Sequence, residues 1–264
     1  MAHPAQTDFF KRAFDAFPMH FGPNAENGVI DFGSLNLNGG PHDFIETPKY
    51  VGVDLEQGPN VDIACSAELV GLPSLSFDAS ISSECFEHNP FWKETFMQMC
   101  RLTRGGGVVI WTCAGIGRPE HGTTRSDGGV TAPFVVKSGL EYYENISAFT
   151  AQGAIAIDKW FDRYFFIENF HDRDTYFVGI RKGAEEIDIQ SLTALELISK
   201  RIYGTPSRYS LRKFLDQRHL GKMLILYFIF LPYFHRVKRF VTKPKKLSKM
   251  KRIAKSGFKL LFKH

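Results

Sequence analysis

Seven short apolar runs, each bounded by turn residues, constrain this chain most: "GVIDFGS", "YVGVDL", "VDIAC", "FDASISSECF", "GGVVIWTCA", "WFDRYFFIENF" and "TYFVGIRK". They are rich in Val, Ile and aromatic residues and show little polar alternation, which predicts strands covered on both faces. Helical stretches lie between them, the clearest being Pro90 to Leu102. Its proline sits in the first turn, Phe91, Phe96, Met99 and Leu102 can share a face, and "RGGG" ends it. Strands alternating with helices predict an α/β fold around a mostly parallel seven-stranded sheet. The last two runs are separated only by "HDRD", too short for a parallel crossover, so they predict an antiparallel hairpin at one edge.

Phe9, Phe10, Phe14 and Phe17 recur at helical spacing up to Pro18, which predicts a short amphipathic helix packed on the domain. The organisation expected is an N-terminal helical segment over 1–27, a main domain over 28–185, and a helical, basic C-terminal region over 186–264. Charge divides the chain in the same sense. Residues 1–216 hold 19 of the 33 bases and all 28 acids, a net −9, whereas residues 217–264 hold the other fourteen bases and no acid. The two parts are built for different surroundings. Cys65, Cys85, Cys100 and Cys113 lack CxxC or Cys/His spacing, so neither a disulfide framework nor a zinc site is expected. The N-terminus has acids and spaced aromatics where an export signal needs a basic start and an apolar run, so a cytoplasmic protein is expected.

In an open α/β sheet, ligands bind at the carboxyl ends of the strands beside the switch in strand order. "VIDFGSLNLNGG" leaves the first strand. Gly33 lets backbone and ligand approach, and Gly39 and Gly40 supply turn conformations. The dinucleotide fingerprint G-x-G-x-x-G is absent because Leu35 stands at its second glycine, which disfavours a bound pyrophosphate. Asp54 ends the second run about twenty residues after Gly33, where an acid accepts hydrogen bonds from ribose hydroxyls; alone it reads first as a turn or cap residue, and together with Gly33 upstream the ribose reading leads. A ribose without a phosphate anchor is what S-adenosylmethionine offers.

Over roughly residues 28–182 the chain resembles the class I S-adenosylmethionine-dependent methyltransferases. Asp31 and Gly33 look like the first motif, Asp54 the ribose acid, "CSAEL" the adenine-side turn, "FDASISSECFEH" the fourth strand, and "RLTRGGGVVIWTCAG" the helix end and fifth strand. The resemblance implies a Rossmann-like methyltransferase fold with one antiparallel edge strand, and S-adenosyl-L-methionine as cofactor. It implies cofactor contacts from Asp31, Gly33, Ser34, Asp54, Leu55, Ser66, Ala67, Glu68 and Ser83. Two departures stand out. Leu35 replaces the usual second glycine, and Ser66 replaces the usual acid before Ala67, leaving the adenine amine to a hydroxyl, the backbone or Glu68. "SLNLNGG", "EHNPFW", "TCAGIGRPEHGT" and "EYYEN" further resemble a subgroup of bacterial methyltransferase-domain proteins linked to surface-glycan assembly. A sugar or glycan-related acceptor follows from that narrower resemblance.

Methyl transfer from a sulfonium needs aligned reactants, exclusion of water and often a base for the acceptor proton. It needs no metal, and none is expected; Glu84, Glu87 and His88 are the residues left open as weak ligands. In this fold the end of the fourth strand faces the methyl group, which singles out Glu84 and His88. Strand alternation places Glu84 and Phe86 on one side with Glu87 out of phase. His88 is either the base or a helix-entry histidine bonded to backbone, and Glu84 either orients an acceptor or forms a structural pair. The glycine-rich loop after the fifth strand suits a substrate-facing lid; Arg118, His121 and Arg125 there are acceptor anchors or solvated charges. The resemblance makes His121 a second candidate base, and Tyr142, Tyr143 and Asn145 a cap over the acceptor.

"MLILYFIFLPYF" is twelve residues long and broken by Pro232, short of the roughly twenty that span a bilayer. Its flanking bases make it read as an interfacial segment drawn to anionic lipid, and its aliphatic interleaving argues against nucleic acid. A helix docked on the main domain and a partner-binding arm are the other readings. The expected activity is methylation of a sugar or glycan-related acceptor at the cytoplasmic membrane face. A small soluble metabolite as acceptor, or a cofactor-binding scaffold without activity, are the alternatives.

Overall fold

The structure, a computed structural model, describes residues 3–204. The hydrophobic segment and the basic tail beyond it lie outside the described residues, and with them the expected lipid contact. Helices α1 (Pro4–Ala16) and α2 (Pro18–Phe21) precede strands β1 (Val29–Phe32), β2 (Tyr50–Asp54), β3 (Ile63–Ala64) and β4 (Phe77–Ser83). Helix α3 (Trp92–Leu102) leads into β5 (Thr103–Ala114). The short helices α4 (Pro133–Lys137) and α5 (Ala148–Ala154) follow, then β6 (Phe161–Asn169), β7 (Asp174–Arg181) and α6 (Glu186–Ile202).

The seven strands form one α/β, Rossmann-like sheet in the order β3-β2-β1-β4-β5-β7-β6. The pairings of β1 through β5 are parallel, and β7 runs antiparallel to both β5 and β6. The hairpin lies at one edge as expected. Within it β7 is inserted beside β5, and β6 takes the outermost place. The strand order turns at β1, with β2 on one side and β4 on the other, so the crevice for a ligand opens where those strands end.

Both faces of the sheet are covered, which explains the unbroken apolar runs. Ile30, Phe32, Val109 and Trp111 point into one core with Phe96 and Met99 of α3. Val29, Ala79, Ile81, Val108 and Ile110 point into the other with Phe9, Phe10 and Phe14 of α1 and Leu192 and Leu195 of α6. The spaced phenylalanines thus form a lid on one layer, where Phe9 stacks on Tyr176 with ring centroids 4.5 Å apart.

Two local expectations shift. The helix expected from Pro90 begins at Trp92, because Asn89 Oδ1 accepts the Phe91 amide at 2.8 Å and Asn89 Nδ2 donates to Thr95 Oγ1 at 2.8 Å, holding the entry outside the helix. The alternation expected through Glu84 and Phe86 fails. β4 stops at Ser83, Glu84 takes φ +51°, and Phe86–His88 form a 3-10 turn. Phe86 consequently packs among Trp92, Phe96 and Trp111, away from Glu84's own partner on α1.

Candidate functional site

A cleft enclosing about 1090 Å³, part of it open to solvent, lies at the carboxyl ends of β1, β2 and β4. Asp31, Gly33, Ser34, Asp54, Leu55, Ser66, Ala67 and Ser83 line it, as do Glu84 and His88 from the candidate catalytic group. Glu68, expected beside them, is not in the wall and instead accepts a 2.7 Å hydrogen bond from Ser66 Oγ. That bond engages the hydroxyl which stands in the place of the usual acid.

The loop after β1 is tied to β2 through Asp54. Leu35 donates its amide to Asp54 Oδ2 at 3.0 Å, and Leu55 donates to Oδ1 at 2.7 Å. Burial pushes the Asp54 carboxyl up, and these two amides pull it back only in part. The residue in the second-glycine position therefore has a structural task, holding the acid at the mouth of the cleft. Gly33 has φ +80°, and a Cβ there would stand 2.6 Å from Cys85 Cβ. Its nearest neighbour is the turn after β4, and Gly33 itself lines the cleft. Gly39, at φ +87°, needs its freedom; Gly40 is extended, and its expected special conformation is absent.

Asp31 is buried at the base of the cleft. Tyr50 Oη donates to its Oδ2 at 2.8 Å, while Oδ1 has no hydrogen-bond partner. Burial raises its pKa to about 7, with a smaller push from Asp54 and an opposing pull from the Tyr50 hydrogen bond. A cationic ligand group would meet an acid poised to ionise at neutral pH.

Glu84 belongs to a buried ionic cluster that reaches the N-terminal helix. Its Oε1 accepts from Gln6 Nε2, and its Oε2 lies 3.7 Å from Arg118 Nη2. Arg118 Nη1 donates to Asp174 Oδ1 at 2.8 Å and to the Asp172 carbonyl at 2.7 Å; His3 Nε2 meets Asp174 Oδ2 at 2.6 Å. Burial first, then the charge of Asp174, holds the Glu84 pKa above the usual carboxylate range. Arg118 is thereby engaged by the protein's own acids.

His88 is nearly buried, with Nδ1 unpartnered. Burial, and then the neighbouring His121, depress its pKa to about 3, so it is neutral at physiological pH and a weak proton acceptor. His121 packs edge-on against it with centroids 4.9 Å apart, and burial lowers its pKa too. Tyr143 closes the aromatic group, 5.5 Å from His88 and 5.1 Å from His121. Glu87 is fully buried with neither carboxylate oxygen hydrogen-bonded. Burial and then Glu84 push its pKa well up, and the nearby amides of Glu87 and Ala114 offset this only partly, without bonds of regular geometry.

The other expected acceptor residues stand apart from the cleft wall. Arg125 is exposed and paired with Glu120 and Glu141; Tyr142 Oη donates to Glu144; Tyr143 Oη donates to the Pro119 carbonyl at 3.0 Å; Asn145 Nδ2 donates to the Arg118 carbonyl at 2.9 Å. Their hydrogen bonds shape the loop after β5. The far wall comes from Thr131–Val135 and Leu140, a stretch whose mixed "TAPFVV" pattern carries no motif. Cys85, Tyr50 and Gln6 also escape sequence reasoning. Each matters through a neighbour distant in sequence.

No family model matches the chain, and no curated protein matches it. Solved structures do. The CurJ carbon methyltransferase aligns at 15% identity and TM-score 0.41, over 58% of this chain and 48% of its own. A Haemonchus contortus phosphoethanolamine N-methyltransferase 2, solved with phosphomonomethylethanolamine and S-adenosylhomocysteine, aligns at 16% and 0.40, over 67% of this chain and 60% of its own. An S-adenosylmethionine-dependent methyltransferase from Mesorhizobium loti aligns at 14% and 0.38, over 58% and 90%. This chain thus spans about half the length of the first of these. At such identities and scores the likeness assigns no activity to it.

Proposed function

We propose that the chain is an S-adenosylmethionine-dependent methyltransferase acting on an oxygen of a sugar or glycan-related acceptor at the cytoplasmic face of the membrane. The observation that carries the cofactor is the pair of acids, Asp31 and Asp54, at the ends of adjacent strands in one cleft. Asp54 serves ribose hydroxyls, and the unpartnered Asp31 Oδ1 faces the cationic methionine end. Neither role suits a phosphate, which two carboxylates would repel.

In the reaction the acceptor oxygen forms a bond to the methyl carbon as the carbon–sulfur bond breaks. The sulfonium becomes a neutral thioether, and the acceptor loses its proton. Glu84 and His88 both line the cleft, but the depressed His88 pKa makes it the poorer base. Glu84, raised by burial and with Oε2 held only by the 3.7 Å ion pair to Arg118, is the better proton acceptor. The membrane placement rests on the apolar and basic pattern after residue 216. Among the described residues no helix is long and apolar enough to cross a membrane.

Calorimetry with S-adenosylhomocysteine and transfer of labelled methyl to membrane-derived glycan fractions test this reading. Saturable binding with label in a glycan is expected, and Glu84→Gln is expected to bind while losing turnover. Absent binding overturns the cofactor assignment; label only in small soluble compounds overturns the acceptor.

A further inference from the structure

Glu87 and His88 sit in the 3-10 turn behind β4, and His121 in the loop after β5, yet each offers a ligand atom and these atoms lie within 4.8 Å of one another. Glu87 is fully buried and His88 only 5% exposed, and both Glu87 oxygens and His88 Nδ1 lack hydrogen-bond partners. Buried polar groups are ordinarily satisfied, so three acceptor-capable atoms on adjacent residues without regular hydrogen bonds mark a place where a ligand would find donor atoms ready.

The His121 ring sharpens the point. Its Nδ1 lies 3.1 Å from the Pro119 carbonyl, which draws the ring proton to that nitrogen, and its Nε2 lies 3.9 Å from Glu87 Oε1. The Nε2 lone pair then faces Glu87, where a divalent cation would engage both groups in place of the proton that burial otherwise keeps on the Glu87 carboxyl. A backbone carbonyl holding the remote nitrogen of an imidazole is also the usual support for a metal-binding histidine. Two metal bonds of about 2.0–2.2 Å span at most about 4.4 Å and separate tetrahedral ligand atoms by about 3.4 Å, so the 3.9 Å pair is within reach and the full set, within 4.8 Å of one another, closes further on binding.

We propose that Glu87, His88 and His121 form a mononuclear site for a divalent transition-metal ion of the zinc or cobalt class. Two imidazole nitrogens and one carboxylate favour such an ion over magnesium or calcium, which take oxygen ligands. Three protein ligands leave coordination positions open, and His88 borders the cleft, so the site adjoins any molecule bound there. A ligated lone pair cannot take up a proton, so occupancy excludes His88 and His121 as bases. The site stands independently of the methyltransferase reading.

The test is titration of chelator-stripped full-length protein with Co²⁺, followed by visible absorption, with Zn²⁺ as competitor and S-adenosylhomocysteine binding measured separately. One equivalent of Co²⁺ is expected to give a saturable band that Zn²⁺ removes. Glu87→Gln and His121→Ala are each expected to weaken Co²⁺ binding by about tenfold or more. His121 lies in a loop, so its variant serves where Glu87→Gln does not fold. No saturable band in the wild type overturns the site, and equal affinity in the wild type and His121→Ala overturns it by leaving other histidines as the binders. Unchanged S-adenosylhomocysteine binding in that event leaves the cofactor reading intact.

Discussion

Tyr50 Oη hydrogen-bonds Asp31 Oδ2 at 2.8 Å across the β1–β2 pair, leaving Oδ1 buried and unpartnered in the cleft wall. The acid thus has one oxygen committed to the sheet and one available to a ligand.

With its pKa at about 7, Asp31 ionises across the neutral range. A ligand carrying an ammonium favours the ionised form, so S-adenosylhomocysteine affinity is expected to rise with pH below about 7 and level off above it, by up to about tenfold per pH unit. Asp31→Asn is expected to flatten that profile. Calorimetry across the range checks both, and a wild-type profile as flat as the variant's removes Asp31 from the contact.

Asp54→Ala removes both the proposed ribose acceptor and the anchor of the Leu35 amide. A loss of about 1–3 kcal/mol is expected, or roughly 5- to 150-fold in S-adenosylhomocysteine affinity. Unchanged affinity would refute the placement of the ribose.

Gly33→Ala forces a Cβ into a φ of +80° and within 2.6 Å of Cys85 Cβ. Backbone strain alone is expected to cost about 1–2 kcal/mol, lowering the melting temperature by several degrees. Adding Cys85→Gly removes the overlap and not the strain, so only part of the loss should return in thermal melts. Full recovery would show that overlap was the whole penalty.

Arg118→Met leaves Glu84 buried without its cation and Asp174 with His3 alone, and a loss of about 3–5 kcal/mol is expected. Removing Arg118 lifts the Glu84 pKa further above its unfolded value. The folded state then binds more protons than the unfolded state between those two values, so the variant's stability falls as pH rises through that window. The defect should be smallest at acid pH. Urea unfolding at acid and neutral pH measures it, and a defect that grows on acidification contradicts the argument.

Much of the fold was legible because its signals are local. Runs covered on both faces, the phenylalanines of α1 and the short link before β7 each depend on neighbouring residues or on chain length. The insertion of β7 between β5 and β6 was not legible, since either order satisfies a tight hairpin. Nor was the break at Glu84, where a left-handed φ is adopted by a residue with no special preference for it.

At the site, Asp31, Gly33, Ser34, Asp54, Leu55, Ser66, Ala67 and Ser83 converge because they end neighbouring parallel strands, and strand ends are visible in sequence. Partnership is different. Whether Arg118 meets an acceptor or Asp174, and whether His121 is free or faces Glu87, depends on which loops the sheet brings together. The sequence by itself determined the layered α/β architecture, the strand ends that carry the acids and the separation of charge along the chain. Only the tertiary structure decided which charges are satisfied and which are left facing a cleft, because electrostatic pairing falls off within a few ångströms and so is set by packing rather than by position in the chain.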